Sequence, residues 1–119
     1  MAALQEYNRI VLKIGSSLLV DPRSGDMREP WFSTIIEDIA ESHHSGVEWV
    51  IVSSGAVGLG RHRLGYEGPP NFVQKQASAS VGQIRLVSGF FEAFARQGIG
   101  SSQLLLSLPD KDDPIHYRN

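Results

Sequence analysis

Two short apolar runs, "RIVLKI" over Arg9–Ile14 and "VEWVIVSSG" over Val47–Gly55, stop against glycine and serine, and a helix-spaced segment lies between them. This pattern constrains the fold more than any other feature of the chain. Runs rich in β-branched residues that end at Gly15 and Gly55 read as buried strands. Between them, Pro30 suits a first helical turn. Phe32, Ile35, Ile36, Ile39, Ala40 and His43 then recur at helical spacing, with Glu37, Asp38 and Glu41 opposite. The spacing predicts an amphipathic helix from Pro30 that ends at Gly46. Strand, helix, strand is a βαβ unit, with parallel strands and a right-handed crossover.

The rest of the chain continues the alternation. Asp21–Glu29 is polar, carries Pro and Gly, and reads as loop. "AVGLGRHRLG" after Gly55 predicts a short glycine-rich helix starting directly off the second strand, and Tyr66–Pro70 a turn. Asn71 with Gln74 three residues on is a helix-start signature. Phe72, Ala77, Val81, Ile84, Val87, Phe91 and Phe94 then keep helical spacing to Gly98. The first half of this long helix, "QASASVGQ", is built of small residues that permit close backbone approach. Ser101–Leu108 predicts a third strand, and the charged, proline-broken tail leaves the sheet. The expected class is α/β, with helices on both faces of a parallel sheet.

A chain of 119 residues is one domain's worth, or part of a larger one. Its 41% hydrophobic and 20% charged residues are those of a globular protein and exclude disorder as the main state. A net charge of -2 leaves no basic patch to attract nucleic acid, so an anionic ligand must be held by aimed donors. There is no cysteine, no membrane-length apolar stretch and no signal-peptide layout at "MAALQEYNRI", which makes the cytoplasm the expected location.

Ligands of open parallel sheets bind beyond the carboxyl ends of the strands. Lys13-Ile14-Gly15-Ser16-Ser17 and Ser53-Ser54-Gly55-Ala56 both lie there. Two small turns with outward backbone N–H groups, and a helix N-terminus behind Gly55, make an anion site. Lys13 adds the full charge, and inside a buried strand it would cost several kcal/mol without a partner. A polyphosphate suits this combination. A lone lysine at a strand end more often snorkels to solvent; two matching turns on adjacent strands weigh the other way. Neither turn is G-x-x-x-x-G-K-[ST], and Gly55, Gly58 and Gly60 give G-x-x-G-x-G, which disfavours a P-loop NTPase and a Rossmann dehydrogenase.

Other chemistry-bearing residues read as structural. His43, His44, His62 and His116 lack metal-ligand spacing, Asp110, Asp112 and Asp113 form a solvated charge run, and Phe90, Phe91 and Phe94 suit packing. No base is placed to activate the turn serines.

"VLKIGSSLL", "VIVSSGAVGLGRHRLGY", "KQASASVGQIRL" and "LLLSLPDKDDPIHYRN", in this order and spacing, resemble the N-terminal part of the glutamate-phosphorylating members of the amino-acid kinase family. The resemblance covers nearly the whole chain from Arg9. Its specific element is the Ser-Ser-Gly-Ala turn combined with K-Q-x-x-x-x-V-G-Q, whereas K-x-G-S-S is shared more widely. It implies an open αβα sandwich with a mainly parallel sheet. It also implies transfer of the γ-phosphoryl of ATP to the side-chain carboxylate of L-glutamate, with Mg²⁺, in a homo-oligomer. The product is glutamyl 5-phosphate, in the first step of proline synthesis. By the same resemblance Lys13 is catalytic and contacts the ATP phosphates, with Gly15 and Ser16 in the adjoining turn; Ser54 contacts glutamate, with Gly55 and Ala56 in its loop. Residues 1–119 would be the N-terminal, glutamate- and phosphate-binding part of the domain, inactive alone. They would end before the downstream glutamate residues, a second lysine and the adenine pocket. Two other readings stay open: a related kinase for another acid or phosphate, and a non-catalytic α/β module that binds an anion or assembles through its long helix.

Overall fold

The computed structural model describes residues 6–104. Strands β1 (Arg9–Ile14) and β2 (Glu48–Ser53) pair in parallel, in register from Arg9 opposite Glu48 to Ile14 opposite Ser53. Between them run α1 (Ser16–Leu19) and α2 (Glu29–His44); α3 (Ala56–Leu64) and α4 (Phe72–Arg96) follow. The βαβ unit is therefore formed as the alternation predicts, and α2 begins one residue before Pro30. The single turn of α1 is an addition to the expected order. It exists to bury Leu19, which is fully enclosed. The loop behind it is closed on itself: Val20 and Met27 form an antiparallel bridge, and the Asp21 and Arg28 N–H groups donate to the Asp26 and Leu19 carbonyls, both at 2.8 Å.

Strand residues alternate between faces. Ile10, Leu12, Ile14, Trp49 and Ile51 are buried or half-buried, whereas Arg9, Val11, Lys13, Glu48, Val50 and Val52 are exposed. Among the described residues, helices thus cover one face of the sheet, not the two expected. Val11 is 64% exposed on the bare face. Lys13 shares that face, opposite Val52, so the expectation of a lysine inside a buried strand is corrected. The pleat sends it to the side where none of the described residues packs, and among them the burial cost argued from the sequence does not arise.

The core gathers Ile14, Leu19, Phe32, Ile36, Leu59, Leu86 and Phe94, with Val20, Met27, Ile39 and Ala93 around them. On α2 the inner position near the end is Ser42 rather than His43. The Ser42 hydroxyl donates to the Ile39 carbonyl (3.0 Å) and accepts from the Trp49 Nε1–H (2.8 Å), while His43 lies exposed. The start of α4 is the expected capping box: the Asn71 side chain accepts from the Gln74 N–H (2.8 Å), and the Gln74 side chain accepts from the Asn71 N–H (3.0 Å). Its end is a Schellman motif, with Gly98 at φ +74° and the Ile99 N–H donating to the Phe94 carbonyl at 2.9 Å.

The face that α4 buries differs from the expected one. Ser78, Gly82, Leu86, Gly89, Ala93 and Phe94 are buried, whereas Phe72, Ile84 and Phe91 are 72%, 71% and 55% exposed. Small residues decide this, because they let the backbones of α3 and α4 meet. A Cβ at Gly60 would stand 2.8 Å from the Gly82 nitrogen, and one at Gly82 2.6 Å from the Gly60 nitrogen. The third strand expected over Ser101–Leu108 is irregular in its described part, Ser101–Leu104; its remainder and the tail lie outside the described residues.

Candidate functional site

Both expected turns come together at the carboxyl ends of the strands. The Ser54 N–H donates to the Ile14 carbonyl at 3.2 Å, which continues the parallel ladder one step past the strands. Gly15 then caps α1, accepting from the Leu18 and Leu19 N–H groups at 3.2 and 3.3 Å, and Gly55 caps α3, accepting from the Leu59 N–H at 3.0 Å. Gly55 sits at φ +130°, which a residue with a Cβ rarely adopts. A Cβ there would lie 3.2 Å from Val20 Cγ2, 3.6 Å from Leu19 Cδ2 and 3.8 Å from the Ser16 Cα. The second turn is thus seated on α1, and Ser16 and Gly55 are neighbours.

Of the residues in these turns, Lys13, Ser16, Ser17 and Ser54 are exposed, Gly55 is buried, and Gly15 and Ala56 are half-buried. A Cβ at Gly15 would meet nothing within 4 Å, so the space over the first turn is open. Two helices start at this end of the sheet, and the amides of a first helical turn have no partner within their own helix. N–H groups and one ammonium, with serine hydroxyls between them, can hold an anion without a general positive field. All six residues singled out from the sequence, Lys13, Gly15, Ser16, Ser54, Gly55 and Ala56, are therefore at one end of the sheet. Sequence reasoning missed the floor, Leu19 and Val20. The apolar "LLV" directly after Gly-Ser-Ser is the signal that could have found it.

Two surface grooves among the described residues lie elsewhere. One is lined by Tyr7, Arg9, Ile10 and Val11, and another by Gln83, Ile84, Val87, Ser88 and Gln103. Among the described residues, no group of three or more His, Asp or Glu side chains is placed to hold a metal ion. None of the described helices is long and apolar enough to cross a membrane.

Comparison with known proteins decides what this parallel unit is part of. The family model described as "Amino acid kinase family" matches residues 8–118. The chain belongs to the amino acid kinase family. Relatives named "Glutamate 5-kinase" include those of Bradyrhizobium sp. (43% identical over 117 residues) and Paramagnetospirillum magneticum (43% over 119 residues). A third, from Rhodopseudomonas palustris strain HaA2, is 42% identical over 117 residues. These matches cover 98%, 100% and 98% of this chain, and 31%, 32% and 31% of the respective relatives. The chain thus spans about a third of the length of the curated relatives it matches. Its two-stranded parallel sheet with flanking helices agrees with part of an amino acid kinase α/β fold.

Proposed function

We propose that this chain carries the phosphate side and the glutamate side of a kinase that transfers the γ-phosphoryl of ATP to the side-chain carboxylate of L-glutamate. A carboxylate oxygen attacks the γ-phosphorus, the bond to the β,γ-bridging oxygen breaks, and L-glutamyl 5-phosphate and ADP form. The observation that carries this reading is the seating of Gly55 on α1 beside Ser16, which joins two donor-bearing turns into one site. Lys13, Gly15 and Ser16 would face the ATP phosphates, with Lys13 offsetting charge on the transferring group. Ser54, Gly55 and Ala56 would hold glutamate. The open space over Gly15 and the exposed Lys13 fit a polyphosphate. Mg²⁺, when bound, would offset the charge of the phosphates; among the described residues no group of three or more His, Asp or Glu side chains is placed to hold it. The domain to which residues 1–119 contribute, a homo-oligomeric assembly and a cytoplasmic place in proline synthesis belong to the same proposal. Assembly is favoured by the exposed Ile84 and Phe91 on α4.

The test is phosphoryl transfer from ATP to L-glutamate or L-aspartate, with the acyl phosphate trapped by hydroxylamine. It is run on the chain and on a chimera in which this chain replaces the matching third of the Bradyrhizobium relative. Glutamate-selective hydroxamate formation by the chimera is expected, and none by the 119-residue chain alone. A folded chimera that makes no hydroxamate, or prefers aspartate, rejects the proposal.

A further inference from the structure

Gly82 on α4 and Ala56 at the start of α3 lie 26 positions apart in the chain, yet they meet backbone to backbone. The Cβ direction at Gly82 points straight into the Ala56 carbonyl oxygen, and the carbonyl carbon would stand 2.6 Å from such a Cβ. The hydrogen that occupies this direction therefore faces the oxygen, as in Cα–H···O contacts between closely packed helices. Gly60 returns the contact one turn later, with its own Cβ direction aimed at the Ser78 carbonyl oxygen. Ser78 is fully enclosed at this crossing, and its hydroxyl has no hydrogen-bond partner among the described residues. The crossing has neither spare volume nor a swinging side chain to absorb a change.

We propose that Gly82 is a positioning residue for the Ser54–Gly55–Ala56 turn, acting through the Ala56 carbonyl; this rests on reading that turn as the glutamate side of the site. Ala56 is the first residue of α3 and follows Gly55 directly, so no linker separates the crossing from the turn. On its other side the turn rests on Leu19 and Val20. It is clamped between α1 and Gly82, and the height of α4 sets where Ser54 presents its hydroxyl. A methyl at position 82 must push Ala56 outward, because backbone atoms cannot rotate away. A shift on the order of 1 Å at a substrate-positioning group is enough to cost about 10²-fold.

The experiment uses the chimera with the Bradyrhizobium relative, with and without Gly82→Ala. The KM for L-glutamate should rise about 10- to 100-fold, with the KM for ATP within about twofold and kcat changed less than KM. Gly89→Ala is the packing control: it adds a methyl to the buried side of α4 two turns beyond Gly82, where it meets the end of an unbranched, adaptable Met27 side chain, 2.8 Å from Sδ, and no backbone. It should lower Tm and leave the glutamate KM unchanged. If folded Gly82→Ala keeps its glutamate KM, or loses glutamate and ATP equally, the proposal is overturned. Should Gly82→Ala fail to fold, amide NMR on the unsubstituted protein decides. Saturating L-glutamate should move the Gly82 and Gly60 resonances together with those of Ser54–Ala56. If the turn moves and Gly82 does not, Gly82 has no positioning role. If Ser54–Ala56 do not move, the glutamate reading itself falls, and this inference with it.

Discussion

Lys13 shows how a residue's position and its chemistry separate. It stands exposed on β1, two residues before Gly15, at the end of the strand where the first glycine–serine turn begins. Lys13→Ala in the chimera with the Bradyrhizobium relative should lower kcat by about 10²–10³, the scale for removing one preorganised donor. Because the side chain is exposed, urea melts should place the variant within about 0.5 kcal/mol of the parent. Lys13→Arg should not restore kcat, since a planar fork cannot stand in for a compact ammonium beside Gly15. Unchanged kcat in folded Lys13→Ala would leave only a surface cation. For Ser54→Ala the expected loss is selective, about 1–3 kcal/mol in glutamate binding with ATP binding untouched, read by calorimetric titration; equal loss for both ligands would reject the assignment. The place of both residues at the strand ends was legible in the sequence, because a glycine marks each end. The environment of Lys13 was not, since an apolar run does not reveal which of its two faces will be covered.

At the level of elements, what was legible depended on range. Capping is local, and the Asn71–Gln74 box could be read from four residues; Asn71→Ala should cost about 1 kcal/mol in thermal or urea unfolding. The strand bounds of β1 and the glycine ends of α2 and α4 were readable for the same reason. The inner face of α4 was not readable, because two stripes compete there. Phe72, Ile84 and Phe91 are larger, but Ser78 and Gly82 allow α3 to approach, and the close contact wins. This choice is testable with a pair of substitutions. Leu86→Ala should destabilise by about 2–5 kcal/mol, whereas Ile84→Gln should stay within about 0.5 kcal/mol. The reverse order in chemical denaturation would mean that the helix is rotated about its axis.

For the molecule as a whole, the sheet is the weak element. Two parallel strands with one bare face leave Val11, Val50 and Val52 at 64%, 43% and 49% exposure. Such apolar surface favours association of the isolated 119-residue chain. Sedimentation velocity should show concentration-dependent growth that Val11→Thr with Val50→Thr reduces; a monomer at all concentrations would show that the face is tolerated by water. The ion pair of Arg9 with Glu48, 2.7 Å apart and more than half exposed on both sides, adds about 0–1 kcal/mol at most.

The pairing of Arg9 with Glu48 also spans 39 positions of the chain. A ribosome adding about 5–20 residues per second needs about 2–8 s to deliver β2 after β1 has emerged. A local hairpin closes in microseconds; here the first strand waits a million times longer for its only described neighbour. During every round of synthesis Val11 and Leu12 are presented, unpaired, to whatever meets nascent chains at the tunnel exit.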